Sequence, residues 1–162
     1  NTILFAYHTL VPYHKSQDIP RLLRQKKEKN WVKYDVLELR GSTIGVIGYG
    51  DIGKACAKLA KAYGMKVQAL RRKPKLSVDD PYCDVVYGDD SDSLNTLMAT
   101  SDYIVVSAPL TNKTKGMIGS EVLKHAKKDT VIINVGRGPI IDEDALIECL
   151  VGRRIKGAAL DV

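Results

Sequence analysis

The sequence predicts a doubly wound α/β fold built on a parallel sheet, and two observations carry that prediction. Six short apolar segments, rich in β-branched residues, alternate with stretches of helical periodicity. That alternation generates parallel strands covered by helices on both faces. The first segment also runs directly into Gly48-Tyr49-Gly50-Asp51-Ile52-Gly53, a glycine-rich turn of the kind that joins a strand to a helix. Crossovers between such strands are right-handed almost without exception, so few topologies remain.

Taken in order, residues 1–28 read as mostly helical, with Ile3, Leu4, Tyr7, Leu10 and Val11 at helical spacing. Pro12 should kink or divide this run, and Pro20 can open a short second helical turn. Residues 31–40 read as irregular or as a short strand ahead of the domain proper. A strand over 43–47 leads into an Ala/Lys/Leu helix over 52–63, ended by Gly64. A second strand follows over 66–70, a weak third over 84–87 and a short helix over 93–99. The fourth strand, 103–107, is stopped by Pro109. A helix over 120–127 takes Ser120 as its N-cap. A fifth strand over 130–135, a helix over 142–151 and a sixth strand over 155–160 complete the expected order. Residues 1–40 are thus a leading helix and connecting segment, and 41–162 one domain.

Bulk properties narrow the function. A chain of 162 residues, 44% hydrophobic and 27% charged, has the composition of a globular protein with one sizeable core. No apolar run reaches the roughly 18 residues of a membrane span, and no secretory signal pattern is present. Cys56, Cys83 and Cys149 are widely spaced and odd in number. They indicate neither a metal site nor a disulfide framework, and reduced thiols favour a cytoplasmic setting. An organellar leader stays compatible with a sequence that begins at Asn1 rather than Met. The net charge of +6 is concentrated partly in Lys15, Arg21, Arg24, Lys26, Lys27, Lys29 and Lys33. This stretch lacks interleaved aromatics and any nucleic-acid motif, and reads as a solvated helix face and loop.

The glycine turn is the first chemical signal. In the pattern G-x-G-x-x-G, Gly48 allows the tight turn, Gly50 lets the backbone approach a pyrophosphate, and Gly53 lets the helix pack close to the strand. The amides around Asp51 and Ile52 then point at the phosphates, where the helix dipole adds roughly 0.3–1 kcal/mol of attraction for an anion. Asp51 itself is expected to turn outward. This is the signature of a dinucleotide-binding Rossmann domain. An acid is then expected at the end of the second strand, to bind the ribose 2′-hydroxyl of NAD. Eighteen residues beyond Gly53 stands Arg71, followed by Arg72 and Lys73, with no acid. A guanidinium forms charge-assisted bonds to a 2′-phosphate, so NADP(H) is the expected cofactor and NAD(H) the alternative.

Three further segments make the reading more specific. Ser107-Ala108-Pro109-Leu110-Thr111-Asn112-Lys113-Thr114 follows the fourth strand. Ile133-Asn134-Val135-Gly136-Arg137-Gly138-Pro139-Ile140-Ile141-Asp142-Glu143 follows the fifth. Gly157-Ala158-Ala159-Leu160-Asp161-Val162 comes last. Together with the glycine turn they resemble the nucleotide-binding domain of the D-isomer-specific 2-hydroxyacid dehydrogenases, a family that includes glyoxylate/hydroxypyruvate reductases. The resemblance implies that Arg137 is the catalytic arginine that grips the substrate carboxylate and polarises its keto oxygen. It implies that Val135 and Gly136 line the nicotinamide side, that Asp161 contacts the carboxamide, that Ala108 and Pro109 border the adenosine, and that Thr114 lies near the cofactor. Ala6-Tyr7-His8-Thr9-Leu10 aligns with the family's interdomain helix, which contributes to a homodimer, although Tyr7 replaces the usual acid.

The family's histidine acid/base and its acidic partner lie after the segment matching Asp161-Val162. His8, His14 and His125 do not match that position. The substrate-binding domain is not represented either. The resemblance therefore implies the cofactor-binding half of an enzyme acting on a 2-keto acid, with no turnover by this segment alone. Two other classes share the fold: a dinucleotide-sensing corepressor-like interaction protein, and a formate or phosphite dehydrogenase.

Overall fold

The computed structural model describes residues 19–33, 38–77 and 79–162. Most of the leading helix expected from the sequence, with its Pro12 kink, lies outside them. The described elements are α1 (Ile19–Lys27), β1 (Thr43–Ile47), α2 (Asp51–Ala62), β2 (Lys66–Leu70), β3 (Val85–Tyr87), α3 (Ser91–Thr100), β4 (Tyr103–Val106), α4 (Ser120–Leu123), β5 (Val131–Asn134), α5 (Glu143–Val151) and β6 (Gly157–Leu160).

All six strands are parallel and lie in the order β3-β2-β1-β4-β5-β6. This is the expected doubly wound sheet. The strand order reverses between β1 and β4, whose register pairs Ile44 with Tyr103 and Ile47 with Val106. Ligands of such sheets bind outside the carboxyl ends of the strands at that reversal.

Alternation along each strand divides the core between two faces. Ile44, Val46, Val67, Ala69, Tyr103, Val105, Val131 and Ile133 share one apolar cluster with Cys56, Ala57 and Ala60 of α2. Ile47, Leu70, Ile104, Val106 and Ile132 share the other with Leu94, Leu97 and Met98 of α3 and with Ala145, Leu146 and Cys149 of α5. Burial on both faces is why the strands read as continuous apolar runs. Gln68 of β2 and Asn134 of β5 are the buried polar exceptions in the strands; Gln68 lies mid-sheet. Its amide donates to Thr100 Oγ1 (2.7 Å) and Ser101 Oγ (2.9 Å), so the sheet loses no hydrogen bond there.

Helix boundaries differ from expectation where polar caps compete. Asp90 caps α3 by accepting from Ser93 N–H (2.9 Å), so that helix starts earlier than read. Asp142 is the cap of α5 rather than its first residue, and accepts from Ala145 N–H (3.1 Å). The helix expected over 120–127 is a correction. Gly119, not Ser120, is its N-cap, and α4 ends at Leu123. Beyond it the amides of His125 and Ala126 bond three residues back, to Val122 and Leu123 carbonyls (both 3.1 Å), so the chain tightens into turns. Lys127 then pairs with Asp102 (3.2 Å) instead of extending the helix.

Cys56 and Cys149 are buried and Cys83 half-buried, and none of the three is in a disulfide. Burial pushes Cys56 up to about 11, leaving it protonated and unreactive at neutral pH. Among the described residues, no helix is long and apolar enough to cross a membrane.

Candidate functional site

The carboxyl ends of β1, β4 and β5 bring three loops into backbone contact. Gly48 has φ +93°. A Cβ built on it would lie 2.5 Å from the backbone N and Cα of Ala108. A Cβ on Gly136 would lie 2.8 Å from the carbonyl oxygen of Ala108. Ala108, 6% exposed, is thus pressed between the two glycines. Ser107 ties the arrangement together: its hydroxyl donates to the Gly48 carbonyl (2.7 Å) and its amide to Ile47 O (2.8 Å). Pro109, next along, is exposed.

The turn after β1 delivers the start of α2. Gly53 packs against the turn so closely that a Cβ would sit 2.4 Å from the Gly48 carbonyl oxygen and 2.9 Å from Val46 Cγ1. At Gly50 nothing lies within 4 Å of that position. Gly50 is also the N-cap of α2, and no side chain caps that helix, in contrast to α3 and α5. An open cradle at an uncapped, 12-residue helix N-terminus is a fit for an anion the size of a pyrophosphate. Asp51 and Ile52 are exposed beside it. Tyr49, only 2% exposed, turns its ring into the core. It therefore offers the loop its backbone alone, and burial raises its phenol far above the ordinary value.

Arg71 stands at the end of β2, half-buried, with Arg72 exposed next to it. The Arg71 guanidinium donates to the hydroxyl of Ser77, which lies at the end of a 3₁₀ turn, Pro74–Ser77. Among the charged groups facing this loop is Asp80, paired with Lys54 of α2 (3.1 Å). Burial raises the Asp80 carboxyl, but the Tyr82 N–H and Lys54 outweigh it and hold it below the usual carboxylate range.

After β5, Asn134 organises the next loop. It is 1% exposed. Its side-chain oxygen accepts from Gly136 N–H (3.0 Å) while its amide donates to the Arg137 carbonyl (3.0 Å). The backbone of Arg137 is therefore set by a buried side chain. The Arg137 guanidinium is exposed apart from one bond to the Gly136 carbonyl (2.8 Å). Val135 is 5% exposed and packs with Ile133 and Val105, so it too faces the loop with backbone only. Asp161 extends the β5–β6 pairing through its N–H to Asn134 O (3.0 Å), which leaves its exposed carboxylate beside the same loop.

Thr114 closes the 109–114 turn. Its hydroxyl donates to Pro109 O (2.7 Å) and accepts from Thr111 N–H (2.8 Å). His125 sits exposed on the turn that leads into β5, at the opposite edge of the sheet from Arg137.

Ser107, Asn134 and Ser77 were not singled out by sequence reasoning, yet each fixes a loop of the site. Asn134 left a trace, as the lone polar residue closing the apolar run Val131-Ile132-Ile133. Ser107 and Ser77 left none, because a serine near a strand end is compatible with any turn.

Residues 13–162 match a family described as "D-isomer specific 2-hydroxyacid dehydrogenase, NAD binding domain". The glycerate dehydrogenase of Methylorubrum extorquens is 40% identical over 138 residues, which are 85% of this chain and 40% of that protein. A D-isomer specific 2-hydroxyacid dehydrogenase from Xanthobacter autotrophicus, crystallised with NADPH, superposes with a TM-score of 0.87 at 31% identity. That match covers 99% of this chain and 49% of the other. The NAD-dependent formate dehydrogenase of Staphylococcus aureus, in complex with NAD, superposes at 0.80 and 28% identity over 100% of this chain and 48% of its own. The chain spans half or less of each of these relatives.

Proposed function

The chain belongs to the D-isomer specific 2-hydroxyacid dehydrogenases, as their NAD-binding domain, and from that premise we propose that it holds NADP(H) for hydride transfer to and from a 2-keto/2-hydroxy acid such as glyoxylate or hydroxypyruvate. The observation that carries the reading is the open cradle at Gly50 over the uncapped start of α2, with a cation, Arg71, at the end of the neighbouring strand. The backbone from Gly48 to Gly53 would take the pyrophosphate and Arg71 with Arg72 the 2′-phosphate. Ala108 and Pro109 would border the adenosine. Gly136, Asp161 and the backbone of Val135 would border the nicotinamide, with Thr114 holding the turn beside the cofactor. The chemistry supplied by the bound cofactor is hydride to the keto carbon. Arg137 binds the substrate carboxylate and stabilises the negative charge that grows on the keto oxygen, a task suited to a permanent cation. The proton for that oxygen is not assigned to His125, which sits at the opposite end of the strands from Arg137.

Calorimetric titration of the chain with NADPH and NADH tests the cofactor reading. NADPH is expected to bind more tightly, and Arg71→Asp to weaken NADPH about ten- to a hundredfold, the worth of a charge-assisted hydrogen bond, with NADH little changed. Equal affinity of the unmutated chain for the two cofactors would sink the NADP(H) assignment.

The parent is further proposed to be a homodimer. The reading is supported by Trp31, 96% exposed, and Leu23, 61% exposed, with Val32 and Leu22 also exposed nearby in sequence, apolar side chains that a subunit contact would cover. Trp31→Ala is expected to shift the full-length enzyme toward monomer in sedimentation velocity. An unmutated enzyme that sediments as a monomer at micromolar concentration would end this proposal.

A further inference from the structure

The stretch that returns from β2 to β3 is held at both ends. Arg71 N–H donates to the Tyr87 carbonyl (3.1 Å), carrying the pairing of these strands one residue past Leu70. The Arg71 guanidinium donates to Ser77. Ser77 is 2% exposed, so its hydroxyl has exchanged water for this guanidinium. The Ser77 carbonyl accepts from Asp80 N–H (3.3 Å), and Asp80 is paired with Lys54 in the first turn of α2 (3.1 Å). A chain of contacts therefore runs from the phosphate helix through Lys54, Asp80 and Ser77 to Arg71.

We propose that Ser77 is a positioning residue that presets Arg71 for the 2′-phosphate and thereby sets the preference for NADPH over NADH; this rests on the NADP(H) reading above. An arginine side chain has many rotamers, and ordering it on binding costs affinity unless the protein has ordered it beforehand. A guanidinium carries five N–H donors in a rigid fork. One of them bonded to Ser77 restricts the side chain to fewer rotamers and leaves the remaining donors for phosphate oxygens. A cofactor without the 2′-phosphate makes no use of Arg71, so the arrangement acts on NADPH alone. Arg72, exposed on the next position, is not held in this way by Ser77.

The test is calorimetric titration of the chain with NADPH and with NADH, for the unmutated protein, Ser77→Ala, Arg71→Ala and the double variant. Ser77→Ala is expected to weaken NADPH about three- to tenfold, to leave NADH unchanged, and to have no further effect once Arg71 is alanine. An unmutated chain that prefers NADPH, with a Ser77→Ala variant that keeps or raises the preference, overturns this inference and leaves the cofactor reading standing. Equal weakening of both cofactors by Ser77→Ala also overturns it, by showing a merely structural role. An unmutated chain with no preference overturns the cofactor reading and this inference together.

Discussion

Gly48→Ala is expected to destabilise the chain by about 2–5 kcal/mol, while Gly50→Ala leaves its stability nearly unchanged and weakens cofactor binding about tenfold or more. The first figure combines about 1–2 kcal/mol for a side chain at positive φ with about 1–3 kcal/mol for forcing atoms into a packed space. The space is closed by backbone: Ala108 N and Cα at 2.5 Å and the Ser107 carbonyl carbon at 2.9 Å. Backbone cannot swing aside as the end of a flexible side chain can. For a domain of this size the cost corresponds to a melting point lower by roughly 5–15 °C, readable by differential scanning fluorimetry. Gly50 is the opposite case, with extended backbone (φ −96°) and open space on its Cβ side. A methyl group there strains nothing and would occupy the place proposed for the pyrophosphate, so NADPH affinity should fall about tenfold or more. Unchanged melting of Gly48→Ala would remove the close approach to Ala108 as the reason for that glycine. Undiminished NADPH binding by Gly50→Ala would move the pyrophosphate away from this loop.

The second large effect concerns Arg137. On the function proposed above, Arg137→Met in an enzyme carrying this domain is expected to lower kcat/KM for a 2-keto acid about 10³-fold or more, with NADPH affinity unchanged. Loss of one donor to a developing oxyanion alone is worth about 10²–10³-fold, and on the proposed reading the substrate carboxylate would lose its partner in the same variant. Arg137→Lys restores the charge but not the planar fork, so it should recover only part of the rate. The expectation follows from placement. Asn134 clamps the loop backbone at Gly136 N–H and at the Arg137 carbonyl, and the guanidinium projects from the carboxyl edge of the sheet beside the Gly136–Ala108 contact. Steady-state kinetics together with NADPH titration decide the matter. A methionine variant within tenfold of the unmutated rate removes Arg137 from the reaction, and a parallel loss of NADPH affinity reassigns it to the cofactor.

The glycine turn and its neighbouring strand end were legible because their requirements are local. A glycine turn between a strand and a helix can be read from spacing, since each glycine answers a steric demand from residues a few positions away. The basic run at the end of β2 was legible for the same reason: the distance from the turn to that strand end is set by the length of one helix and one strand. Helix ends were less legible. Asp90 and Asp142 are read equally well as first helical residues or as caps until their hydrogen bonds are seen, and the sequence after Leu123 keeps enough helix formers to suggest a helix that turns do not continue.

What the amino-acid order determined was the parallel αβ alternation, the glycine turn between β1 and α2 and the basic residues at the end of β2, because strand period, helix period and glycine spacing are properties of neighbouring residues. What only the tertiary structure decided was which loops meet. Ala108 lies between Gly48 and Gly136 because the strand order reverses between β1 and β4 and continues to β5, placing residues far apart in the chain at one edge of the sheet. The roles of Ser107, Asn134 and Ser77 arise from that convergence. Each is a small polar side chain whose partner is a group the fold brings to it, and a hydrogen bond of that kind has no signature in the spacing of residues.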